Sequence, residues 1–367
     1  MAASPTATHS VRVTSNNAIG VGIVGLSAHG GWAAGAHVPA LRGVEGYELR
    51  ALSASSPESG KAAGEAHGVP LVLDTAEELA QHPDVDLVVV TVKVPFHDEL
   101  VKPALQAGKM VLSEWPLAAD RQRAEALTAA ARGVRTAIGL QARSAPAVRY
   151  LHNLIADGYL GTVLSTTMVG SGGGWGATYE TDSKYLIDAA NGATLLSIPT
   201  GHSLDALTAV LGDVTDISGH TATRRPEVHH AVTGEAATMT SPDQVALTAI
   251  LESGAVAVVH VRGGMSRATN FRWEINGTDG DLVITAPPGL WWMNAVTIRG
   301  AHGAETELAE LPVPARYERV LPGRAAEPAY NVAHLYADLR DDITAGTNVV
   351  PGFAHATRLH ELLEGIR

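Results

Sequence analysis

Ile19-Gly-Val-Gly-Ile-Val24, then Gly25-Leu-Ser-Ala-His-Gly-Gly31, then Trp32, is the stretch that decides the fold. The first six residues are only glycine and β-branched, which suits a strand buried on both faces of a parallel sheet. A glycine-rich turn follows, and a helical pattern runs from Trp32 to Arg42. Strand, glycine turn and helix in that order direct backbone N–H groups at an anion. A literal G-x-G-x-x-G exists at Gly20, Gly22 and Gly25, but its first two glycines lie inside the expected strand. Phosphate-binding glycines follow the strand. The functional turn is therefore read as Gly25 to Gly31. Gly25 allows the tight turn, and Gly30 and Gly31 let backbone approach a pyrophosphate. Leu26, Ser27 and Trp32 complete this set, with Ser27 where a second glycine is usual.

Outward from this turn, strands are expected at Tyr47–Ser53, Leu71–Leu73, Asp86–Val92, Met110–Glu114 and Thr136–Leu140. Helices are expected between them at Pro57–His67, Thr75–His82, His97–Ala107 and Asp120–Arg132, with Thr75 and Glu78 as a capping box. This alternation predicts an α/β chain with a doubly wound parallel sheet. The pattern changes near residue 145. A helix at Ala147–Asp157 precedes alternating stretches at Val163–Val169, Ala231–Thr240, Gln244–Leu251, Ala255–Arg262 and Phe271–Gly277. These predict a large, mostly antiparallel sheet with one covered face. Gly170–Gly176 reads as a flexible loop, Ser203–Leu211 as a helix, and Asn331–Ala345 and Gly352–Gly365 as closing helices. The expected organisation is a disordered tail over 1–18, a dinucleotide-binding domain over 19–143, and a substrate-binding and dimerisation domain over 144–367.

Composition removes whole classes of function. The 367 residues include no cysteine, which excludes disulfides, zinc ribbons, iron–sulfur clusters and thiol nucleophiles. Against 26 Lys plus Arg stand 38 Asp plus Glu, a net charge of −12, so nucleic acid and anionic membrane are poor partners. No apolar run approaches the roughly 20 residues of a membrane span, and a cytoplasmic location is expected. His229-His230 are adjacent and His355 and His360 are five apart. Neither spacing puts two ligands on one helical face, so no metal is expected.

Candidate residues follow from position. The second strand ends in Leu52-Ser-Ala-Ser-Ser56, where an acid usually binds ribose hydroxyls. Its absence, with Ser53 and Ser55 as donors, leans towards NADP over NAD. A solvated serine loop explains the same residues. Thr91, Val92 and Lys93 stand at the carboxyl end of the most apolar strand, where ligands of open α/β sheets bind. Lys93 could contact phosphate, orient a ribose or exchange a proton. His97 could cap the next helix or contact the ribose. His202, at an expected helix start, would be held neutral by the helix dipole and accept a substrate proton, or would merely pack. Trp175, Tyr179, Lys184 and Tyr185 could form a wall suited to a polar ring, or an ordinary packed loop.

Five blocks in order resemble the Gfo/Idh/MocA family. They are Asp84–Val92 with Pro95-Phe-His97; Ala107–Leu117; Leu154–Gly161; Gly201-His202 with Asp205; and Gly277–Val283. The resemblance implies a Rossmann domain, a nicotinamide cofactor, a ribose contact from Glu114, and a sheet whose open face commonly pairs two subunits. A homodimer or homotetramer is expected, with Trp291-Trp292 and the late strands as candidates for its surface, or else these residues are buried under the C-terminal helices. The departures are specific. Trp115 stands where the family has an acid–base lysine, and Ile198 where it has an aspartate, so only His202 remains of that trio. Trp115 could stack on a nicotinamide or fill the domain seam. Thr91–Pro95, Leu140-Gln-Ala-Arg143 and Leu196–His202 resemble a branch that includes a galactose-regulon repressor, which adds Arg143 to the substrate side. The expected function is NAD(P)-dependent hydride transfer with a small polar, sugar-like or conjugated substrate, with His202, Lys93 and Tyr185 as the catalytic set. The alternative is a catalytically silent NAD(P)-binding regulator acting through protein contacts.

Overall fold

The computed structural model describes residues 18–366, so the expected tail, apart from Ala18, lies outside the described residues. β1 (Ile19–Val24), β2 (Tyr47–Ser53), β3 (Leu71–Leu73), β4 (Leu87–Val90), β5 (Met110–Glu114) and β6 (Thr136–Gly139) form a parallel sheet. Its order is β3-β2-β1-β4-β5-β6. The order reverses between β1 and β4, and that opens a crevice at their carboxyl ends. β1 and β4 are buried along their whole length, as their apolar runs require.

The crossovers are α1 (Val38–Gly43), α2 (Pro57–His67), α3 (Ala76–Gln81), α4 (His97–Gln106) and α5 (Arg121–Ala130). α1 continues from a π-helical turn, Ala33–His37, in which the N–H of Val38 bonds Ala33 O. At α3 the expected capping box is only half made. Thr75 accepts from Glu78 N at 3.0 Å, but the Glu78 carboxylate accepts from Asp74 N at 3.1 Å. The reciprocal box forms instead at α2, between Ser56 and Ser59.

The second half begins with α6 (Pro146–Ala156), β7 (Val163–Gly172), β8 (Thr178–Tyr179), α7 (Gly201–Leu211) and β9 (Val214–Ala222). β10 (Glu227–His230), β11 (Ala236–Thr238), β12 (Gln244–Leu251), β13 (Val256–Gly263), β14 (Phe271–Gly277) and β15 (Gly280–Ala286) follow. The chain closes with β16 (Thr297–His302), β17 (Ala309–Glu310), α8 (Ala329–Ala345) and α9 (Phe353–Glu364). The large sheet runs β17-β16-β15-β14-β7-β13-β12-β9, antiparallel except between β7 and β13. Met168, Leu247, Val259 and Trp273 on its covered face share an apolar cluster with Leu204 and Leu207 of α7 and Leu359 of α9. The other face leaves Ile250, Val256 and Val258 exposed. α8 joins β1 and α1 through Val332, Leu335 and Tyr336, so it completes the core of the first sheet. No helix among the described residues is long and apolar enough to cross a membrane.

Two expectations need correction, and one open alternative is decided. Ala231–Thr240 is not one strand. β10 ends at His230, whose Nδ1 accepts from Val232 N and Thr233 N, and Gly234 turns the chain at φ +72°. β10 and β11 instead build a three-stranded sheet with β8. The Gly170–Gly176 stretch is not a free loop, because β7 stays paired with β13 up to Gly172. A Cβ on Gly172 would lie 2.5 Å from Leu195 and 2.9 Å from Trp175, so this glycine serves close packing. Of the two readings of Trp291 and Trp292, the structure shows burial against the C-terminal helices. Both are buried, and Asn331 of α8 bonds the Trp292 carbonyl at 2.7 Å.

Candidate active site

The glycine turn sits in the crevice. Gly25 N donates to Ser53 O at 2.9 Å, tying the end of β1 to the end of β2. Thr91 fixes the other side, its N–H and Oγ both donating to Val24 O at 3.1 and 3.0 Å. Gly25 has φ +97°, and a Cβ there would come within 2.7 Å of Val92, so two independent constraints demand glycine. Gly30 and Gly31 also have positive φ, at +148° and +87°, and nothing lies within 4 Å of where their Cβ atoms would be. That open space at a helix start is a backbone cradle. Beside it the Trp32 indole N–H is buried without a partner. A pyrophosphate fits these features, because it needs close backbone approach and free donors. Leu26 turns its side chain into the core, leaving only its backbone for a ligand. Ser27 is exposed, and its carbonyl accepts from His67 Nε2 at 2.9 Å. Ser53 is buried and Ser55 exposed.

Glu114 at the end of β5 is held from behind. His37 Nε2 bonds its Oε1 at 3.0 Å, and Tyr336 Oη lies 2.8 Å from His37 Nδ1. Burial pushes the Tyr336 phenol well up, so it keeps its proton and donates to Nδ1, leaving Nε2–H for the carboxylate. Gly139 backs the same carboxylate, since a Cβ there would be 2.3 Å from Oε1.

Two expected cofactor contacts are corrected here. Trp115 is buried with its ring packed between His360 and Gly201, so it does not stack on a nicotinamide. Its indole donates to Ser197 O at 2.8 Å, and its ring packs on His360 at 4.7 Å and against Gly201. It fills the domain seam. His97 is buried between two carbonyls, with Nδ1 2.8 Å from Pro116 O and Nε2 2.9 Å from Val92 O. Carbonyls only accept, so a neutral ring donates to one of them, and His97 clamps two loops instead of meeting a ribose.

The structure brings Lys93 and Tyr185 together. The ammonium stands 4.9 Å from the ring centroid, a cation–aromatic contact at the mouth of the crevice. Burial raises the Tyr185 phenol, and Asn191 holds its backbone carbonyl at 2.7 Å. His202 is buried and stacked on Trp292 at 4.4 Å and 15°. Burial pushes it down to about 3, against an opposing pull from Asp205. Its Nδ1 is buried without a partner. The helix-dipole explanation fails, because α7 continues from a second π-helical turn, Leu196–Thr200, and has no free end at His202. Desolvation keeps the ring neutral. Trp175 is buried in the wall near Gly172, with its indole N–H unpartnered.

Two expected substrate contacts point elsewhere. Arg143 donates to Asp205 Oδ1 at 2.7 Å and to Thr208 at 3.0 Å, so it serves a buried charge. Tyr179 belongs to a small core with Ile187, Val228 and Met239, where its hydroxyl donates to Glu235 O. His37, Asp205, Trp292, Tyr336, His355 and His360 shape the site without having been singled out for it. Asp205, three residues after His202, was the legible one. His355 Nε2 reaches its Oδ1 at 2.6 Å from α9.

Residues 19–139 match the Gfo/Idh/MocA description "Oxidoreductase family, NAD-binding Rossmann fold", and residues 146–286 match "Gal80p, C-terminal domain". A dehydrogenase named aclE from Aspergillus oryzae is 41% identical over 187 residues, 50% of this chain and 51% of that protein. The galactose/lactose metabolism regulatory protein GAL80 of Saccharomyces cerevisiae is 30% identical over 294 residues, 74% of this chain and 68% of that protein. The chain thus spans about half of the first relative and about two thirds of the second. A crystal structure of a super-repressor mutant of Gal80p from the same yeast superposes with a TM-score of 0.86 at 25% identity, covering 95% of both chains. The crevice, the glycine cradle and these matches together show that the chain belongs to the Gfo/Idh/MocA oxidoreductase family, with a Gal80-like C-terminal domain.

Proposed function

We propose that the protein binds a nicotinamide dinucleotide in the crevice between β1 and β4 and exchanges a hydride with a small polar substrate, sugar-like or conjugated. The observation that carries this reading is the open cradle at Gly30 and Gly31, with Lys93 and Tyr185 paired at the crevice mouth. The bound cofactor would supply or accept the hydride. The turn from Gly25 to Gly31 would hold the pyrophosphate, and Glu114, fixed by His37, would take ribose hydroxyls. With no acid at the end of β2, the site would admit a 2′-phosphate, so NADP is the favoured cofactor. Tyr185, whose burial holds the phenolic proton, would donate it to a carbonyl oxygen, and the Lys93 ammonium over its ring would stabilise the phenolate left behind until solvent returns the proton. His202 stays neutral and offers a lone pair to a substrate hydroxyl. A ring pushed down to about 3 is a weak base, so its part is orientation more than proton storage. The open face of the eight-stranded sheet would pair with a second copy.

One observation favours a second reading. Trp115 seals the place where the family keeps its lysine, and a regulator covers 74% of this chain in alignment. A silent sensor would bind the dinucleotide and signal through protein contacts. Calorimetric titration with NADH and NADPH, followed by turnover against aldose, imine and enone panels, separates the two. The enzyme reading expects turnover that Tyr185→Phe, which removes the proton donor, lowers by about two to four orders of magnitude. Tight binding with no turnover across the panel would leave the sensor.

A further inference from the structure

Away from the crevice, α6, the far end of α7, α8 and residues 349–351 line a half-open cavity of about 360 Å³. That volume falls within the range of small-molecule sites. Its walls combine apolar residues, Val148, Ala209 and Val350, with Arg143, Arg149 and Tyr317. Asp338 lines it as well, yet not all of the donors there are spent. Asp338 is 6% exposed, and both its oxygens are taken, one by Arg149 and one by Arg319 at 2.9 Å. One carboxylate thus serves two guanidiniums. Arg319 has Asp341 as well, but among the described residues Arg149 has Asp338 alone. Arg143 spends its Nε and one Nη2 donor on Asp205 and Thr208 and leaves its Nη1 edge unengaged, with the side chain 25% exposed. Tyr317 is 8% exposed, and its hydroxyl oxygen already accepts from Asn153 at 2.8 Å and Arg316 at 3.4 Å. Its own proton has no acceptor among the described residues. An acidic protein that gathers unspent donors around an apolar-backed cavity has prepared a place for an anion.

We propose that this cavity is a second binding site, for a small oxyanion, a carboxylate or phosphate group on a short apolar body, held by Arg149, Tyr317 and the free edge of Arg143. The site abuts the active-site helix. Arg143 is its inner wall and also the partner of Asp205, one turn along α7 from His202. A ligand on the outer edge of Arg143 therefore touches the residue that balances the buried charge behind the catalytic candidate.

The test is calorimetric titration of the whole chain with inorganic phosphate and, separately, with succinate at constant ionic strength, with and without NADH. The expected result is saturable binding of at least one anion at about millimolar affinity or tighter, retained when NADH is present. Arg149→Gln should weaken it by about tenfold, and Tyr317→Phe, which keeps the ring packing, by a few-fold. Phosphate alone binding would identify the head group as a phosphate ester, and succinate alone as a carboxylate. No saturation with either anion overturns the proposal. So does binding that NADH displaces and neither variant weakens, because that anion would be sitting in the glycine cradle.

Discussion

Replacing His360 by Phe should flatten the acid side of the stability profile. His360 projects from α9 onto Trp115, is buried, and has an Nε2 with no partner. Burial pushes it down to about 4 from an ordinary 6.5. The sign follows from linkage. Above about pH 6.5 neither folded nor unfolded chain protonates this ring, so it contributes no pH dependence. Below that, the unfolded chain binds a proton that the folded chain refuses, and stability falls until pH passes about 4. At pH 5 the loss from this one ring comes to about 2 kcal/mol. His202, pushed down to about 3, adds a loss of the same size over the same window. His360→Phe keeps an aromatic ring on Trp115 and removes this one titration. Whatever the swap costs in packing is equal at both pH values and drops out of the difference. Urea unfolding followed by circular dichroism at pH 7.5 and pH 5 should therefore show the gap between wild type and variant shifting by about 2 kcal/mol in favour of the variant at pH 5. Parallel profiles would refute the reasoning, since they would mean that the ring is solvated or paired in the folded state.

Other substitutions test other parts of the argument. Gly25→Ala forces a Cβ to 2.7 Å from Val92 at φ +97°, and should cost about 1–3 kcal/mol in thermal or urea unfolding while removing NADH binding in calorimetry. Trp115→Phe leaves the Ser197 carbonyl without its indole donor, at a cost of about 1–3 kcal/mol, yet should preserve dinucleotide affinity because Trp115 faces the seam. Val258→Glu on the open sheet face should convert a dimer to monomer in light scattering with little change in melting temperature. An unchanged mass would remove that face as the pairing surface.

The parallel sheet was legible because its central strands, β1 and β4, are short apolar runs buried on both faces and set in a regular alternation with helices. The glycine turn was legible because positive φ leaves little choice of residue. Side-chain direction was not. His97 follows the expected loop, but its role depends on Pro116 O, nineteen residues on, and Trp115 is set by Ser197 O, eighty-two residues on. Tyr179 sits on a wall residue pattern and is claimed by a sheet that the reading of Ala231–Thr240 as one strand had hidden. His37, Tyr336, His355 and His360 matter only once distant parts of the chain meet. Their spacing carries no trace of the meeting. Lys93 and Tyr185, ninety-two residues apart, were found separately by position and joined by the fold.

The two π-helical turns give chain length itself a meaning at this site. Each bonds across five residues where an α-helix spans four, Val38 N to Ala33 O in one and Thr200 N to Leu195 O in the other. Each thus stores one residue more than a plain helix would use. Remove one residue from Ala33–His37, and the turn can relax into ordinary helix with its backbone bonds intact. With β1 held in the sheet, the glycine turn between them would have to absorb a rotation of about 100° relative to His37. The glycine cradle and the residue that steadies Glu114 would lose their common orientation while the core stayed folded. At these turns, the count of residues sets the aim of the site without setting the stability of the fold.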